Sequence, residues 1–242
     1  MKLNTAQLKP IRAQAMTTPS ILKLIDVIHG HFESNHAKHD SLHEAIDEVL
    51  EKLHAISQQP RRLVDDQPAL PGLDDVLEAA IQSIPRPKLG HIADALVEAR
   101  DEITWRFDEG HFYPSGTDLG DGYINGNLNC ELIGPNSCGI HADDFILGFF
   151  LLTPHTLYRD HNHLAPELYL NLTEPTGWRF DKGPWEDRYS NSIVWNPSGL
   201  THAMRTYDVP FFSIYCWTRS VNTPCSIVPA HDWDELERAL TR

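Results

Sequence analysis

The sequence predicts a mainly β protein, a β-sandwich or barrel preceded by an N-terminal α-helical region. Three observations predict it. From Thr18 to about Phe107 the apolar residues recur at helical spacing. After Phe107 the composition turns to Gly, Pro, Asp and aromatic residues. Beyond that, short apolar runs separated by turn residues follow at intervals of roughly ten residues. The 242 residues therefore divide into a helical region over 1–107 and a barrel over 108–242, either as one domain or as a barrel with an added lobe.

The helical elements follow in order. Thr18-Pro19 reads as a cap with proline in the first turn, and Ile21, Leu24, Ile25, Ile28 and Phe32 then share one face. Ser41-Leu-His-Glu44 is a capping-box pattern ahead of Leu42, Ile46, Val49, Leu50 and Leu53. Leu73, Val76, Leu77, Ala80, Ile81 and Ile84 form a third stripe, and Ile92, Leu96, Ala99 and Ile103 a fourth. The Pro-rich segment Gln58 to Gly72 reads as a loop, and Pro85-Arg-Pro87 as a tight break between the last two helices. His29, His31, His36 and His39 fall on the first helix and its exit, where they read as exposed imidazoles spread round the surface rather than as a metal site.

Gly110 to Gly126, with Phe112, Tyr113 and Tyr123, has loop composition, and a loop of this length in a compact domain is often a lid or a binding edge. Strand-like runs then cover Phe145 to Leu152, Leu168 to Leu172, Gly177 to Phe180, Ser192 to Trp195, His202 to Tyr207 and Phe211 to Thr218.

The residues that carry chemistry lie between Tyr158 and Tyr169, in Tyr-Arg-Asp-His-Asn-His-Leu-Ala-Pro-Glu-Leu-Tyr. Side chains alternate along an extended strand, so His161, His163, Glu167 and Tyr169 point one way while Leu168 and Leu170 face apolar packing. Two imidazoles and a carboxylate suit a borderline divalent cation. A third imidazole, His202 of Pro197-Ser-Gly-Leu-Thr-His202, completes a mixed nitrogen and oxygen shell with room for a substrate. Asn196-Pro197-Ser198-Gly199 is a turn signal, and a hairpin there brings His202 onto a strand facing the first group. A lone histidine is more often a surface or core residue, and the chain has 14. It is the conjunction of the two spaced motifs that points to a metal.

His161-x-His163-x3-Glu167 resembles the first cupin motif and Pro197-x-Gly199-x-x-His202 the second. The closing glycine of the first motif, Gly177, lies further from Glu167 than the family pattern has it, and the Asn that usually follows the second motif's His is absent. The resemblance implies a double-stranded β-barrel holding one metal ion. Within cupins, Tyr158, Tyr169 and the surrounding His-Asn-His-Leu-Ala-Pro-Glu-Leu-Tyr-Leu are similar to the bacterial dimethylsulfoniopropionate lyases, over about the last 130 residues.

That resemblance implies β-elimination of dimethylsulfoniopropionate, a small zwitterionic substrate, to acrylate and dimethyl sulfide. The hard step is removing a proton beside a carboxylate, which a metal bound to that carboxylate eases as a Lewis acid. His161, His163, Glu167 and His202 are the ligands so implied, for one Zn, Fe(II), Mn, Ni or Co ion. Tyr169, beside Glu167, is the implied base and Tyr158 an assisting or alternative one, although a phenol of pKa about 10 needs a nearby cation to serve. A sulfonium suits aromatic faces, and Trp178, Trp195, Tyr215 and Trp217 are available. A dioxygenase using Fe(II), an isomerase of a small carbonyl compound, a lyase of another β-substituted acid and a ligand-binding cupin without catalysis stay open.

The net charge of -14 and a pI near 5.3, with no Lys/Arg cluster beyond pairs such as Arg61-Arg62, argue against a nucleic-acid partner. Met1 to Pro10 has no apolar stretch of signal-peptide type, and no segment reaches the ~18 apolar residues of a membrane span. A cytoplasmic protein without a membrane partner is the expectation, and the helical lobe is compatible with a homodimer. Cys130, Cys138, Cys216 and Cys225, spaced without a Cys-x-x-Cys pair, read as free thiols.

Overall fold

The computed structural model describes residues 19–36, 42–57 and 72–240. Thr18, His39, Ser41 and most of the expected 58–72 loop lie outside these residues, as does the segment Met1 to Pro10. Four helices come first: α1 (Ser20–Asn35), α2 (His43–Ser57), α3 (Asp74–Gln82) and α4 (Arg86–Ala99). The expected apolar stripes are their buried faces, with Leu24, Ile28, Ile46, Val49, Ala80, Ile92 and Leu96 fully or almost fully enclosed. Pro19 stands at the N-cap of α1 and has no side-chain group to cap with. The carboxylate of distant Glu102 does that work instead, accepting from Ser20 N and Ile21 N at 2.9 Å each.

His31 departs from the exposed reading. α4 packs over it, leaving it 6% exposed, with Nδ1 3.1 Å from Nε2 of His91. Among the described residues no helix is long and apolar enough to cross a membrane.

A short helix α5 (Asp121–Asn125) leads into the strands β1 (Asn127–Gly134), β2 (Ile140–His141), β3 (Ile146–Leu152), β4 (Leu157–Asn162), β5 (Glu167–Asn171) and β6 (Thr176–Phe180). Then follow β7 (Glu186–Arg188), β8 (Ile193–Asn196), β9 (His202–Thr206), β10 (Phe211–Trp217), β11 (Ser226–Ile227) and a final helix α6 (Trp233–Leu240). They form a six-stranded sheet in the order β2-β1-β3-β10-β5-β8 and a five-stranded sheet in the order β11-β4-β9-β6-β7. The chain passes from one sheet to the other at each step from β3 to β6 and again from β8 to β10, which is the double-stranded β-barrel that the motifs' resemblance implies.

The six-stranded sheet is buried on both faces. Along β10, Phe211, Tyr215 and Trp217 point into the barrel while Phe212, Ile214 and Cys216 pack against the helices. The same alternation sends Tyr169 of β5 inward and Leu168 and Leu170 outward, as the sequence pattern requires. One apolar core thus joins the helices to the back of the sheet, and a second, aromatic one fills the barrel. All four cysteines are buried free thiols.

Two local expectations are corrected. The run from Tyr158 to Tyr169 is not one strand: β4 lies in the five-stranded sheet and β5 in the six-stranded one, joined through 163–166. Nor do the strands flanking Asn196-Pro197-Ser198-Gly199 pair as a hairpin, because β8 bonds to β5 and β9 to β4 and β6. Gly199 turns the chain between the sheets at φ 79°, a conformation that favours glycine.

Candidate functional site

β4 delivers two inward side chains that a regular strand could not. Tyr158 and His161 differ in parity, yet both face the barrel interior, because the β4–β9 ladder slips between Tyr158 and His161. A bulge of this kind re-aims a side chain at the cost of a local break in the ladder. The Tyr158 and His161 rings then stack, with centroids 4.0 Å apart. On β9, His202 is the direct partner of His161 across the ladder. His163 follows β4, and its carbonyl accepts from Gly199 N at 2.9 Å, so the turn of the second motif holds the loop of the first.

The three imidazoles are oriented alike. Nδ1 of His161 lies 2.8 Å from the carbonyl of Arg159, that of His163 2.7 Å from Ala165 O, and that of His202 3.0 Å from Leu200 O. A carbonyl only accepts, so each Nδ1 is the protonated nitrogen and each Nε2 keeps its lone pair for another task. One ring nitrogen from each histidine falls within 4.8 Å of the other two.

Glu167 joins them from β5, with Oε2 3.2 Å from His163 Nε2 and 3.5 Å from His202 Nε2. Two atoms that both accept stand face to face here, a contact that needs a proton or a metal cation between them. His202 Nε2 is buried without a hydrogen bond. Two ligands of one ion at about 2.0–2.1 Å, tetrahedrally disposed, sit roughly 3.3–3.4 Å apart, which these separations match. Three imidazole nitrogens and a carboxylate are a donor set for a borderline divalent cation, and the residues fit one.

Electrostatics point the same way. Burial, then the charges of His202 and His163, depress the His161 pKa far below its ordinary value. For His163 the cost of burial is outweighed by the Glu167 carboxylate and its hydrogen bond, and the pKa rises. Burial tends to raise Glu167, yet His163 and His202 hold it well below the usual carboxylate range. The site keeps Glu167 ionised and His161 neutral, the protonation states that ligands require, whereas the rise at His163 favours a proton shared with Glu167 that a bound cation would displace.

Glu167 is further fixed by Trp217 Nε1, which donates to Oε1 at 2.7 Å, and by Asn196 Nδ2, which donates to Oε2 at 3.2 Å. Around this centre lies a small cavity of about 40 Å³. Its wall includes Tyr158, His161, His163, Glu167 and Tyr169, with Phe112, Tyr123, Phe150, Tyr215 and Trp217. Tyr169 is buried, and both desolvation and the Glu167 charge push its phenol up; burial does the same to Tyr158. Of the other aromatic residues expected to be available, Trp178 is inside the barrel but off this wall, and Trp195 packs on the helical side.

Several residues here were legible in the sequence only as aromatics of a loop, without a place in the site. The Tyr113 and Tyr158 hydroxyls are 2.5 Å apart, Tyr123 stacks on Tyr158 at 4.2 Å, and its hydroxyl donates to Asp108 Oδ2 at 2.6 Å. Phe112 meets the Trp217 ring edge-on at 5.3 Å. The aromatic richness of 110–126 was their signal: that segment closes one end of the barrel against the motif residues.

Comparison with known proteins agrees with this arrangement. A family model described as dimethylsulfoniopropionate lyase matches residues 42–213. The dimethylsulfoniopropionate lyase DddQ of Ruegeria pomeroyi is 29% identical over 133 residues, 54% of this chain and 63% of that protein. The match thus spans less than two thirds of the relative's length. The crystal structure of DddQ from Ruegeria pomeroyi superposes with a TM-score of 0.57 at 22% identity, covering 82% of this chain and 96% of that one. A structure reported with the lyases RdDddP and RnDddQII gives 0.63 at 20% identity, covering 87% and 98%. At these identities the superpositions establish a shared fold.

Proposed function

This chain belongs to the dimethylsulfoniopropionate lyase family, and from that premise we propose that it cleaves dimethylsulfoniopropionate by metal-dependent β-elimination to dimethyl sulfide and acrylate. The observation that carries the metal dependence is the contact of Glu167 Oε2 with the Nε2 atoms of His163 and His202, acceptors facing acceptors in a buried place. His161, His163, Glu167 and His202 would hold one Zn, Fe(II), Mn, Ni or Co ion. Such an ion supplies Lewis acidity at the substrate carboxylate, easing loss of the neighbouring proton.

The chain's own residues do the rest. Tyr169 neighbours Glu167 on the inner face of β5; as the phenolate, its own proton first lost to solvent and its charge offset by the cation that the site would hold, it takes the proton from the α-carbon. The electron pair of that C–H bond becomes the new double bond, the bond from the β-carbon to sulfur breaks, and dimethyl sulfide leaves with the sulfur lone pair. Tyr158, held by its contact with the Tyr113 hydroxyl, assists from the opposite sheet. The ring faces of Tyr215, Trp217 and Phe112 accept the sulfonium, an interaction worth on the order of 1 kcal/mol or more where water is excluded. Closure of the barrel by 110–126 keeps solvent protons from the carbanion-like centre.

Headspace gas chromatography of the purified full chain, given dimethylsulfoniopropionate before and after chelation and with each metal restored, tests the reading. Dimethyl sulfide release that chelation stops and a divalent metal restores is expected. A folded, metal-loaded protein that releases none overturns the substrate, and release indifferent to chelation overturns the metal.

A further inference from the structure

The sequence left the histidines of the first helix as separate surface residues, and the fold gathers some of them. His29 and Glu33 are four apart on α1 and so share a face. α2 lays His54 against that face, its ring meeting His29 edge-on with centroids 4.8 Å apart. Glu33 Oε1 then lies 3.5 Å from His29 Nε2 and 3.3 Å from His54 Nε2. One ligand atom from each of the three falls within 4.8 Å of the other two. His29 Nε2 is buried by its surroundings and makes no hydrogen bond.

We infer that His29, Glu33 and His54 form a second divalent-metal site, a clasp between α1 and α2 separate from the barrel centre. The separations are those of ligand pairs on one ion with bonds of about 2.0–2.2 Å. Two imidazoles and one carboxylate select a borderline cation of the zinc class; calcium and magnesium, which want oxygen shells, are disfavoured. Glu33 and His54 have side chains 50% and 57% exposed, so the remaining positions belong to water and the ion exchanges with solvent. Its work is mechanical. α2 begins after residues 37–41, and a bound ion ties its far end, at His54, back to the middle of α1.

The test is equilibrium dialysis of the full chain against Zn2+ at free concentrations near that of the protein, read by elemental analysis and by thermal unfolding. His54→Ala and Glu33→Gln should each remove one equivalent of zinc and the accompanying rise in melting temperature, while dimethyl sulfide release stays as in the wild type. His202→Ala removes the barrel equivalent and leaves this one, so failure of the barrel reading and failure of this one are distinguishable. Both side chains being half-exposed, the variants fold, which circular dichroism verifies. Zinc uptake and zinc-induced stabilisation that are unchanged in both His54→Ala and Glu33→Gln overturn the site, and the carboxylate is then only an acceptor for the His54 N–H.

Discussion

His161 and His202 face each other as direct partners across the β4–β9 ladder, their ring centroids 4.2 Å apart, and neither is more than 1% exposed. As the proposed ligands of one ion, with a ring nitrogen of each within 4.8 Å of the other, they are both needed for a complete donor set. His202→Ala should lower metal affinity by more than the roughly 10–100-fold that loss of an outer partner costs. Metal content after dialysis measures this, and a variant retaining a full equivalent in the barrel would remove His202 from the shell.

Tyr169→Phe deletes the proposed base and no metal ligand. Dimethyl sulfide release should fall by about 10²–10⁴-fold with metal content near normal, the range typical of general base catalysis. Tyr158→Phe should cost less. If the two effects are reversed, the base is Tyr158.

Trp217→Phe keeps an aromatic ring against His163 but removes the N–H that Glu167 Oε1 accepts at 2.7 Å. A buried carboxylate then loses one of its fixed donors. Metal affinity should drop by roughly 10–100-fold, read by competition with a chelating dye.

Phe212 is fully buried between β10 and the helices, in ring contact with Trp105 and Phe149. Phe212→Ala should destabilise the fold by about 3–5 kcal/mol through lost burial and the cavity left behind. Urea unfolding measures it. A single transition for the variant, followed by both helical and aromatic signals, is expected, because the helices and the sheet share that core.

Acid should loosen the C-terminal helix. Arg179, paired with buried Asp160, also binds Asp232 at 2.5 Å and holds its carboxyl below the ordinary value. A pKa lower in the folded state contributes stability above the unfolded value of about 3.9 and loses it as pH falls through the folded one. Wild type should therefore exceed Asp232→Asn in melting temperature at pH 6, and the gap should close below about pH 4. A gap unchanged with pH would show that the ionised carboxylate of Asp232 is not what stabilises this end of the chain.

What sequence could reach followed from local rules. Helical stripes such as Leu24, Ile28 and Phe32, and strand runs such as Phe211 to Thr218, are written in periods that a few neighbouring residues carry. The donor types of His161, His163, Glu167 and His202 were legible for the same reason, and the fold brings the three histidines together with a ring nitrogen of each within 4.8 Å of the others. Asp108 carried no such signal, and Tyr113 and Asn196 carried only those of an aromatic loop and a turn, since their roles depend on which distant side chains they meet.

The sequence by itself thus determined the order of helices and barrel, the alternation along each strand, and the kind of ion its motifs suit. Only the tertiary structure decided that β8 and β9 part into different sheets, that a slip in the β4–β9 ladder turns Tyr158 and His161 to one side, and that Glu102 caps α1. Those outcomes depend on strand pairing and packing between residues far apart in the chain. Such pairings are selected by the whole core at once, and no short window of residues encodes them.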